Sequence, residues 1–215
     1  MNMKIAQRLW ITLLITLLTC SATVTRAADL ATVLTEVKAA AGQTDTLYSH
    51  FTQEKHLDIM AETLLSQGLF AYRKPDHLRW ELLTPIASGF VLRGQQGERW
   101  NGLSRELERF SVDRDPLMGM IAQQLLAWAR VDLDWLQQRY VMELVSEQPL
   151  QLKLTPRDAG EAGFIDHLEI FFAADRRYVE QVVLVEKSGD STRLRFTDVK
   201  VNGSLPDDIF AAPGF

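Results

Sequence analysis

The chain has 215 residues, of which 47% are hydrophobic and 24% are charged; these are the proportions of an ordinary folded protein, so extensive disorder is excluded. Its 28 acidic residues outnumber its 23 basic residues and give a net charge of −5, which argues against a nucleic-acid-binding protein because such proteins need a basic face. A single cysteine excludes a disulfide framework and any multi-cysteine metal or iron–sulfur site.

Residues 1–27 have the pattern of a secretory signal peptide that is removed after export. Lys4 and Arg8 precede an apolar stretch of about ten residues, and small residues follow it. A membrane anchor is disfavoured because a spanning helix needs roughly 20 apolar residues. A lipoprotein signal is a second alternative, since the run ending at Cys20 resembles a lipobox, although the residue before the cysteine is larger than usual. We expect a soluble periplasmic protein with one domain over residues 28–215.

The first predicted elements of the mature chain are a helix and a series of strands. Asp29 can cap a helix with an apolar stripe, and Gly42 is placed to end it. From Thr46 onward apolar and polar residues alternate, which predicts strands. Their short connections favour antiparallel neighbours, because parallel neighbours need long crossovers. Six strands are predicted in this part, at 46–58, 63–74, 77–83, 88–93, 97–101 and 104–112.

A helical insertion interrupts the strands. Asp115 can cap a helix with Pro116 in its first turn, and an apolar stripe continues to Trp135 across a second short segment. About eleven antiparallel strands in one domain must close into a barrel, form a sandwich, or curl beneath a cover. The strands that follow the insertion are predicted at 139–146, 150–156, 164–173, 178–187 and 191–201.

The sequence offers no pattern typical of catalysis or of metal binding. His50 and His56 share a strand face but are too far apart to ligate one ion, and no serine stands in a Gly-x-Ser-x-Gly elbow. Glu106 and Glu108 point the same way, but the arginines beside them favour a solvated strand face. We therefore predict a protein that is not an enzyme and has no catalytic residues, no metal and no cofactor.

Residues 51–85 carry a series of motifs in a fixed order. These are Phe51-Thr52-Gln53, Gly68, Tyr72-Arg73-Lys74-Pro75-Asp76, Leu78-Arg79-Trp80-Glu81 and Pro85. In order and spacing they resemble the LolA family of periplasmic outer-membrane lipoprotein carriers, in which a Phe-x-Gln strand precedes a Gly-led strand, a basic-Arg-Pro turn and a tryptophan. Leu154-Thr155-Pro156 and the stretch 206–215 also resemble family positions, so the similarity covers nearly the whole mature chain.

The resemblance implies a mainly β fold, an incomplete, half-open antiparallel β-barrel of about 11 strands covered by an N-terminal helix and a helical insertion. It also implies an apolar cavity for acyl chains and a monomeric carrier. Such a carrier takes lipoproteins from an inner-membrane release complex and delivers them to an outer-membrane receptor. On this basis the side chains expected to line the cavity are Phe70, Tyr72, Leu78, Trp80, Leu82, Phe90, Leu117, Met120, Ile121, Leu125 and Trp128.

One residue departs from the family pattern. The family has an arginine before the proline of the turn, and that arginine bonds backbone carbonyls of the helical lid. Here the matching residue is Lys74, which offers a point charge in place of a rigid fork of donors. We expect Lys74 to act as a weaker lid latch, or the cargo to differ.

Three other interpretations remain open. From composition alone, the apolar side chains could form a conventional core, with the helices plugging the sheet. The protein could also carry another acylated or lipid molecule, such as a glycolipid or a polyene-type lipid. Finally, it could be an acyl-binding sensor or interaction domain of the same architecture.

Overall fold

The structure is a computed structural model that describes residues 29–59 and 62–214. The predicted signal peptide, 1–27, and Cys20 lie outside the described residues. The helices are α1 (Leu30–Ala41), α2 (Pro116–Arg130), α3 (Leu133–Arg139) and α4 (Ala159–Ala162), and a 3₁₀ turn spans Asp207–Phe210. The strands are β1 (Thr46–His56), β2 (Leu64–Arg73), β3 (His77–Thr84), β4 (Ser88–Arg93), β5 (Gln96–Asn101), β6 (Glu106–Ser111), β7 (Tyr140–Glu147), β8 (Leu150–Pro156), β9 (Ile165–Phe172), β10 (Val179–Glu186) and β11 (Ser191–Val201).

All eleven strands form one antiparallel sheet, in the order β6-β5-β4-β3-β2-β1-β11-β10-β9-β8-β7. The first and last strands pair at its centre, where Phe51 of β1 stands opposite Phe196 of β11. The sheet is not closed, because β6 and β7 are its two edges. The predicted half-open antiparallel barrel, with an N-terminal helix and a helical insertion, is confirmed.

The insertion connects the two edge strands, since α2 and α3 follow β6 and precede β7. Asp115 caps α2 by accepting a hydrogen bond from the Met118 N–H at 3.1 Å, and Asp132 caps α3 through the Trp135 N–H at 3.0 Å. Between the two helices Val131 has a left-handed backbone, with φ of 50°, which turns the chain sharply. We call α2 and α3 together the lid.

The concave face of the sheet and the helices share one hydrophobic core. Helix α1 contributes its predicted stripe, with Val33, Leu34 and Val37 buried. On the convex face, Arg79 of β3 donates hydrogen bonds to the carbonyls of Ile209 and Ala211 at 2.9 and 2.8 Å. The C-terminal segment is thereby held outside, and the concave face is left to the helices.

Candidate functional site

An aromatic cluster on the concave face brings the motif residues of 51–85 together. The rings of Phe51 and Trp80 stack with centroids 4.0 Å apart, and Phe70 and Phe196 stand within 6.4 Å of the Trp80 ring. Gly68 makes room for the stack, because a Cβ at this position would lie 2.2 Å from the Phe51 ring and 2.3 Å from the Glu81 carbonyl oxygen. Phe51, Gly68 and Trp80, each from a different motif, thus meet in one cluster on the concave face.

A cavity of about 660 Å³ lies between the lid and this face of the sheet. That volume is within the range of roughly 300–1,000 Å³ of small-molecule pockets in proteins. Met120 and Gln123 are exposed and belong to the lining, so we place the mouth of the cavity beside this part of α2. The lid contributes Pro116, Gly119, Met120, Ile121, Gln123, Gln124, Leu125, Trp128, Trp135 and Arg139, and the remaining lining residues are Trp80, Val112, Tyr140, Glu161, Ile165, Leu168 and Leu184.

A second, much smaller gap of about 20 Å³ shares Leu125 and Trp128 with the large cavity. Phe70 and Phe196 of the aromatic cluster line it from the sheet. Its volume corresponds to about one water molecule. Helix α2 therefore forms part of the wall of both spaces.

Polar side chains occupy one part of the large cavity. The hydroxyl of Tyr140 donates a hydrogen bond to Glu161 at 2.5 Å and lies 3.1 Å from the side-chain amide of Gln124. Arg139 bonds the other oxygen of Glu161 at 3.3 Å, and its guanidinium lies over the Trp135 ring. Burial and the bond to Glu161 raise the pKa of the Tyr140 hydroxyl, so it stays protonated and neutral.

Six of the eleven side chains expected in the lining face these spaces. Trp80, Met120 and Ile121 line the large cavity, Phe70 lines the small gap, and both spaces are lined by Leu125 and Trp128.

The other five expected lining residues lie elsewhere. Tyr72 and Leu78 are fully buried in the core, Leu82 packs against the core, and Phe90 lines a separate depression beside Met118. Leu117 is 59% exposed and lies outside the lining.

The position of Tyr72 shows why a residue on the concave face need not face the cavity. Arg130, at the end of α2, is close enough to influence the Tyr72 hydroxyl, whose pKa burial raises to about 12. Tyr72 therefore lies in the packed core of this face and outside the cavity lining.

Lys74 contacts the end of α1. Its Nζ donates to the carbonyl oxygen of Gly42 at 2.8 Å and lies 3.1 Å from a carboxylate oxygen of Asp45. Among the described residues, the hydrogen bonds of its ammonium group go to the turn after α1 and none to the lid. Arg73 points to the convex face and pairs with Asp207 at 2.7 Å.

Sequence reasoning missed the half of the cavity that the later elements build. Ile165, Leu168, Leu184 and the polar group around Tyr140 all follow or end the insertion. The alternation along β9 and β10 was a signal that Leu168 and Leu184 face inward. Nothing local indicated that Glu161, on a four-residue helix, would reach the cavity.

A family model described as "Outer membrane lipoprotein carrier protein LolA" matches residues 42–213. The chain belongs to the LolA family. Membership indicates a carrier-like role in binding lipid or lipoprotein, and the LolA family is periplasmic. Its members are binding proteins rather than enzymes. No curated protein matches the chain.

The chain is similar to several solved structures of low sequence identity, and two of those described here, with TM-scores above 0.5, share its fold. An uncharacterized conserved protein from Thermus thermophilus aligns with a TM-score of 0.54 at 11% identity, over 86% of this chain and 93% of that one. MucB aligns with a TM-score of 0.53 at 18% identity, over 87% of this chain and 64% of MucB. A LolA superfamily protein from Nitrosomonas europaea aligns with a TM-score of 0.47 at 14% identity, over 86% of this chain and 99% of that one.

Two features, a metal-binding cluster and a membrane-spanning helix, are absent from the described residues. Within 29–59 and 62–214, no group of three His, Cys, Asp or Glu side chains is arranged to hold a metal ion. None of the helices in the described part of the chain combines the length and the apolar character that crossing a bilayer requires.

Proposed function

We propose that this LolA-family chain is a periplasmic carrier that binds the acyl chains of lipoproteins in its apolar cavity and shuttles them from the inner to the outer membrane. The observation that carries the proposal is the cavity of about 660 Å³ between the lid and the concave sheet face. Trp80 lines it from the sheet and Ile121 lines it from the lid. The proposed acyl-binding side chains are the six expected residues that line the two spaces, together with later cavity residues. They are Phe70, Trp80, Met120, Ile121, Leu125, Trp128, Trp135, Ile165, Leu168 and Leu184.

The energies of an acyl chain explain why such a carrier needs an enclosed apolar site. Each exposed methylene costs about 0.8 kcal/mol in water, so a chain of roughly fifteen methylenes costs on the order of 12 kcal/mol. A carrier in an aqueous compartment must offset most of this free energy of exposure when it binds the chain, and it must still be able to release the chain. A lid held mainly by its own apolar face can do both, because that face repacks against the sheet when the cargo leaves.

Polar ties between the helices that cover the sheet are weak enough to permit opening. Lys38 of α1 pairs with Asp134 of α3 at 2.5 Å, but both side chains are more than half exposed. Exposed pairs of this kind contribute about 0–1 kcal/mol. Lys74, in the turn after β2, adds a tie of another kind, because it bonds Gly42 at the end of α1 to the sheet rather than to the lid. We propose that Lys74 is a latch that holds α1 on the sheet and in this way biases the cover formed by α1 and the lid toward the closed state.

A second candidate function is an acyl-binding domain that also recognises a partner protein. MucB, which shares the fold, has been solved in complex with MucA(peri), and that structure aligns with a TM-score of 0.50 at 17% identity over 60% of its chain. A carrier must likewise meet a release complex and a receptor, so protein contact alone does not separate the two functions. Transfer of cargo between two membranes is the property that distinguishes a carrier.

The experiment that tests the proposal replaces one lid residue at a time by glutamate. Ile121→Glu puts a carboxylate inside the cavity, where an unpaired charge is costly, and should abolish uptake of a fluorescent fatty acid. Leu117→Glu is the matched control, because Leu117 lies on the same helix but is 59% exposed and outside the lining. It should bind like the wild type.

Normal uptake by a folded Ile121→Glu protein would contradict the proposed site. Native mass spectrometry of protein purified gently from the periplasm then identifies the cargo from the mass that accompanies the chain. A co-purifying glycolipid or polyene-type lipid, rather than an acylated protein, would replace lipoproteins as the cargo.

A further inference from the structure

Val131, the residue between the two lid helices, holds a strained backbone conformation. Its φ of 50° and ψ of 52° lie in the left-handed region, which is unfavourable for a residue with a Cβ and which glycine normally occupies at the end of a helix. Val131 is also buried, with 4% of its surface exposed. The other described non-glycine residues with positive φ are Arg105, Arg176, Asp198 and Asn202, so Val131 is the only β-branched residue among them. Strain of this kind, kept in place by the surrounding structure, points to a function for the position.

The second lid helix, α3, is fastened to the segment between β8 and β9. Arg157 donates from Nε to the carbonyl oxygens of Gln137 and Tyr140 at 3.2 and 3.0 Å. Its backbone N–H donates to the carbonyl oxygen of Arg139 at 2.8 Å. Glu161 accepts hydrogen bonds from the Arg139 guanidinium at 3.3 Å and from the Tyr140 hydroxyl at 2.5 Å. The end of α3 is therefore held by directional bonds from two residues.

The first lid helix, α2, has fewer such bonds. Within the described part of the chain, one hydrogen bond joins α2 itself to the sheet, the 3.1 Å contact between Gln124 and the Tyr140 hydroxyl. Just before the helix, Asp115 pairs with Arg99 of β5 at 3.1 Å. Otherwise α2 is held by the burial of its apolar side chains, which has no preferred direction. Because the hydrocarbon of a guest can replace these apolar contacts but not the hydrogen bonds of α3, α2 is the helix that moves.

We infer that Val131 is a strained hinge, at which α2 lifts to admit or release a guest while Arg157 and Glu161 keep α3 in place. In the closed lid Val131 is held in the left-handed conformation. When α2 lifts, the backbone of Val131 returns to a common conformation, and the relief of strain offsets part of the free energy of opening. This inference rests on the proposed acyl-carrier function, because the hinge matters only if the cavity opens for a guest.

Two substitutions separate the strain at Val131 from the packing of its side chain. Val131→Gly and Val131→Ala both remove the two methyl groups, but only glycine adopts the left-handed conformation freely. Stopped-flow fluorescence measures how fast each variant releases a bound fluorescent fatty acid. Val131→Gly should release it about tenfold more slowly than Val131→Ala, the factor that corresponds to the strain of a residue with a Cβ.

A second pair of variants serves if the loss of packing at position 131 prevents folding. Val131→Asn and Val131→Thr both introduce a polar side chain of similar size. Asparagine tolerates the left-handed region, whereas threonine is β-branched and keeps the strain. Val131→Asn should therefore release the fatty acid several-fold more slowly than Val131→Thr.

A double-mutant comparison tests whether α3 is the fixed side of the hinge. Arg157→Ala removes the two side-chain bonds to the end of α3, so that α3 can move and relieve the strain at Val131. In this background the difference between Val131→Gly and Val131→Ala should fall below about threefold. Arg193→Ala is the matched control, because Arg193 of β11 pairs with Glu54 of β1 at 3.0 Å, and it should preserve the tenfold difference. A purely structural role of Arg157 would lower stability in urea without changing this coupling.

Each contrary result has a distinct meaning. Equal release from Val131→Gly and Val131→Ala, or faster release from Val131→Gly, would overturn the strained hinge and leave the carrier function standing. A difference that persists in Arg157→Ala would overturn α3 as the fixed side. Glu161→Gln, which weakens the bonds to Arg139 and Tyr140, replaces Arg157→Ala if that variant does not fold. Failure of the wild type to bind the fatty acid would overturn the proposed function itself.

Discussion

Gly68 shows how one small residue makes room for the aromatic stack through which Trp80 is held at the cavity. The ring of Phe51 lies over its Cα, and this allows Phe51 to stack on Trp80 at 4.0 Å. A side chain at position 68 would also approach the backbone oxygen of Glu81 to 2.3 Å. Backbone cannot move aside as a flexible side chain does, so the contact is expensive.

Gly68→Ala should therefore destabilise the protein by about 1–3 kcal/mol, the cost of overpacking a core. Gly203→Ala is the matched control, because a Cβ at this exposed position meets nothing closer than 3.9 Å. Urea unfolding monitored by circular dichroism measures both. Equal stability of the two variants would mean that the aromatic stack does not depend on Gly68.

Tyr72 and Tyr140 are both buried but differ in hydrogen bonding, so comparing them separates the effect of burial on stability from the effect of a hydrogen bond. The Tyr72 hydroxyl is buried without a hydrogen-bond partner among the described residues, whereas that of Tyr140 donates to Glu161. Tyr72→Phe should leave stability at pH 7 unchanged or raise it by about 1 kcal/mol, and Tyr140→Phe should lower it by roughly 1.5–3 kcal/mol. A loss of stability in Tyr72→Phe as large as that in Tyr140→Phe would contradict this difference.

Tyr72 also predicts how the stability of the protein depends on pH. Burial raises the pKa of Tyr72 from 10 to about 12 in the folded protein, so the unfolded chain loses this proton first. The contribution of Tyr72 to stability is therefore complete below pH 10 and is lost as the pH rises from 10 to 12. Unfolding experiments across this range should show a shallower decline for Tyr72→Phe than for the wild type. Parallel curves would contradict the assignment.

At the scale of elements, periodicity predicted the strands and helices well, because each local pattern agrees with the burial of its own face. Asp115 and Pro116 marked the start of α2, and the alternation along β3 placed Leu78, Trp80 and Leu82 on one face. The sequence could not say which of these three faces the cavity. That depends on where the helices rest on the sheet: Leu78 is fully buried in the core, whereas Trp80 lines the cavity.

If the bond between Lys74 and Gly42 at the end of α1 holds the cover closed, changing it should change the rate at which cargo is released. Lys74→Leu removes the bond to Gly42 and should speed release of a fluorescent fatty acid, whereas Lys74→Arg adds donors and should slow it several-fold. Stability should change by less than about 1 kcal/mol, because the Lys74 side chain is 40% exposed and that of its partner Asp45 is 73% exposed. Stopped-flow fluorescence measures the release.

The control for the latch is Lys55→Leu, since Lys55 lies at the opposite end of the β1–β2 hairpin. It should release cargo at the wild-type rate. Unchanged rates in both Lys74 variants would remove Lys74 from the mechanism.

At the scale of the whole molecule, the topology explains why the cavity exists. The chain runs from the central β1 to one edge of the sheet, crosses by the lid to the other edge, and returns to the centre through β11. The lid therefore spans an opening that no strand closes. Side chains from both halves of the chain meet beneath it, and for this reason the half contributed by Leu168, Leu184 and Glu161 could not be predicted from local patterns.

The tryptophans provide the most direct test of the central claim, that the space under the lid receives an acyl chain. Trp80, Trp128 and Trp135 line the cavity, whereas Trp100 lies on the convex face beneath the guanidinium of Arg79. A fatty acid brominated along its chain quenches only tryptophans that it touches. We predict strong quenching of the wild type, reduced quenching in Trp128→Phe, and undiminished fractional quenching in Trp100→Phe. No quenching, or quenching that is lost with Trp100 rather than with Trp128, would contradict the account.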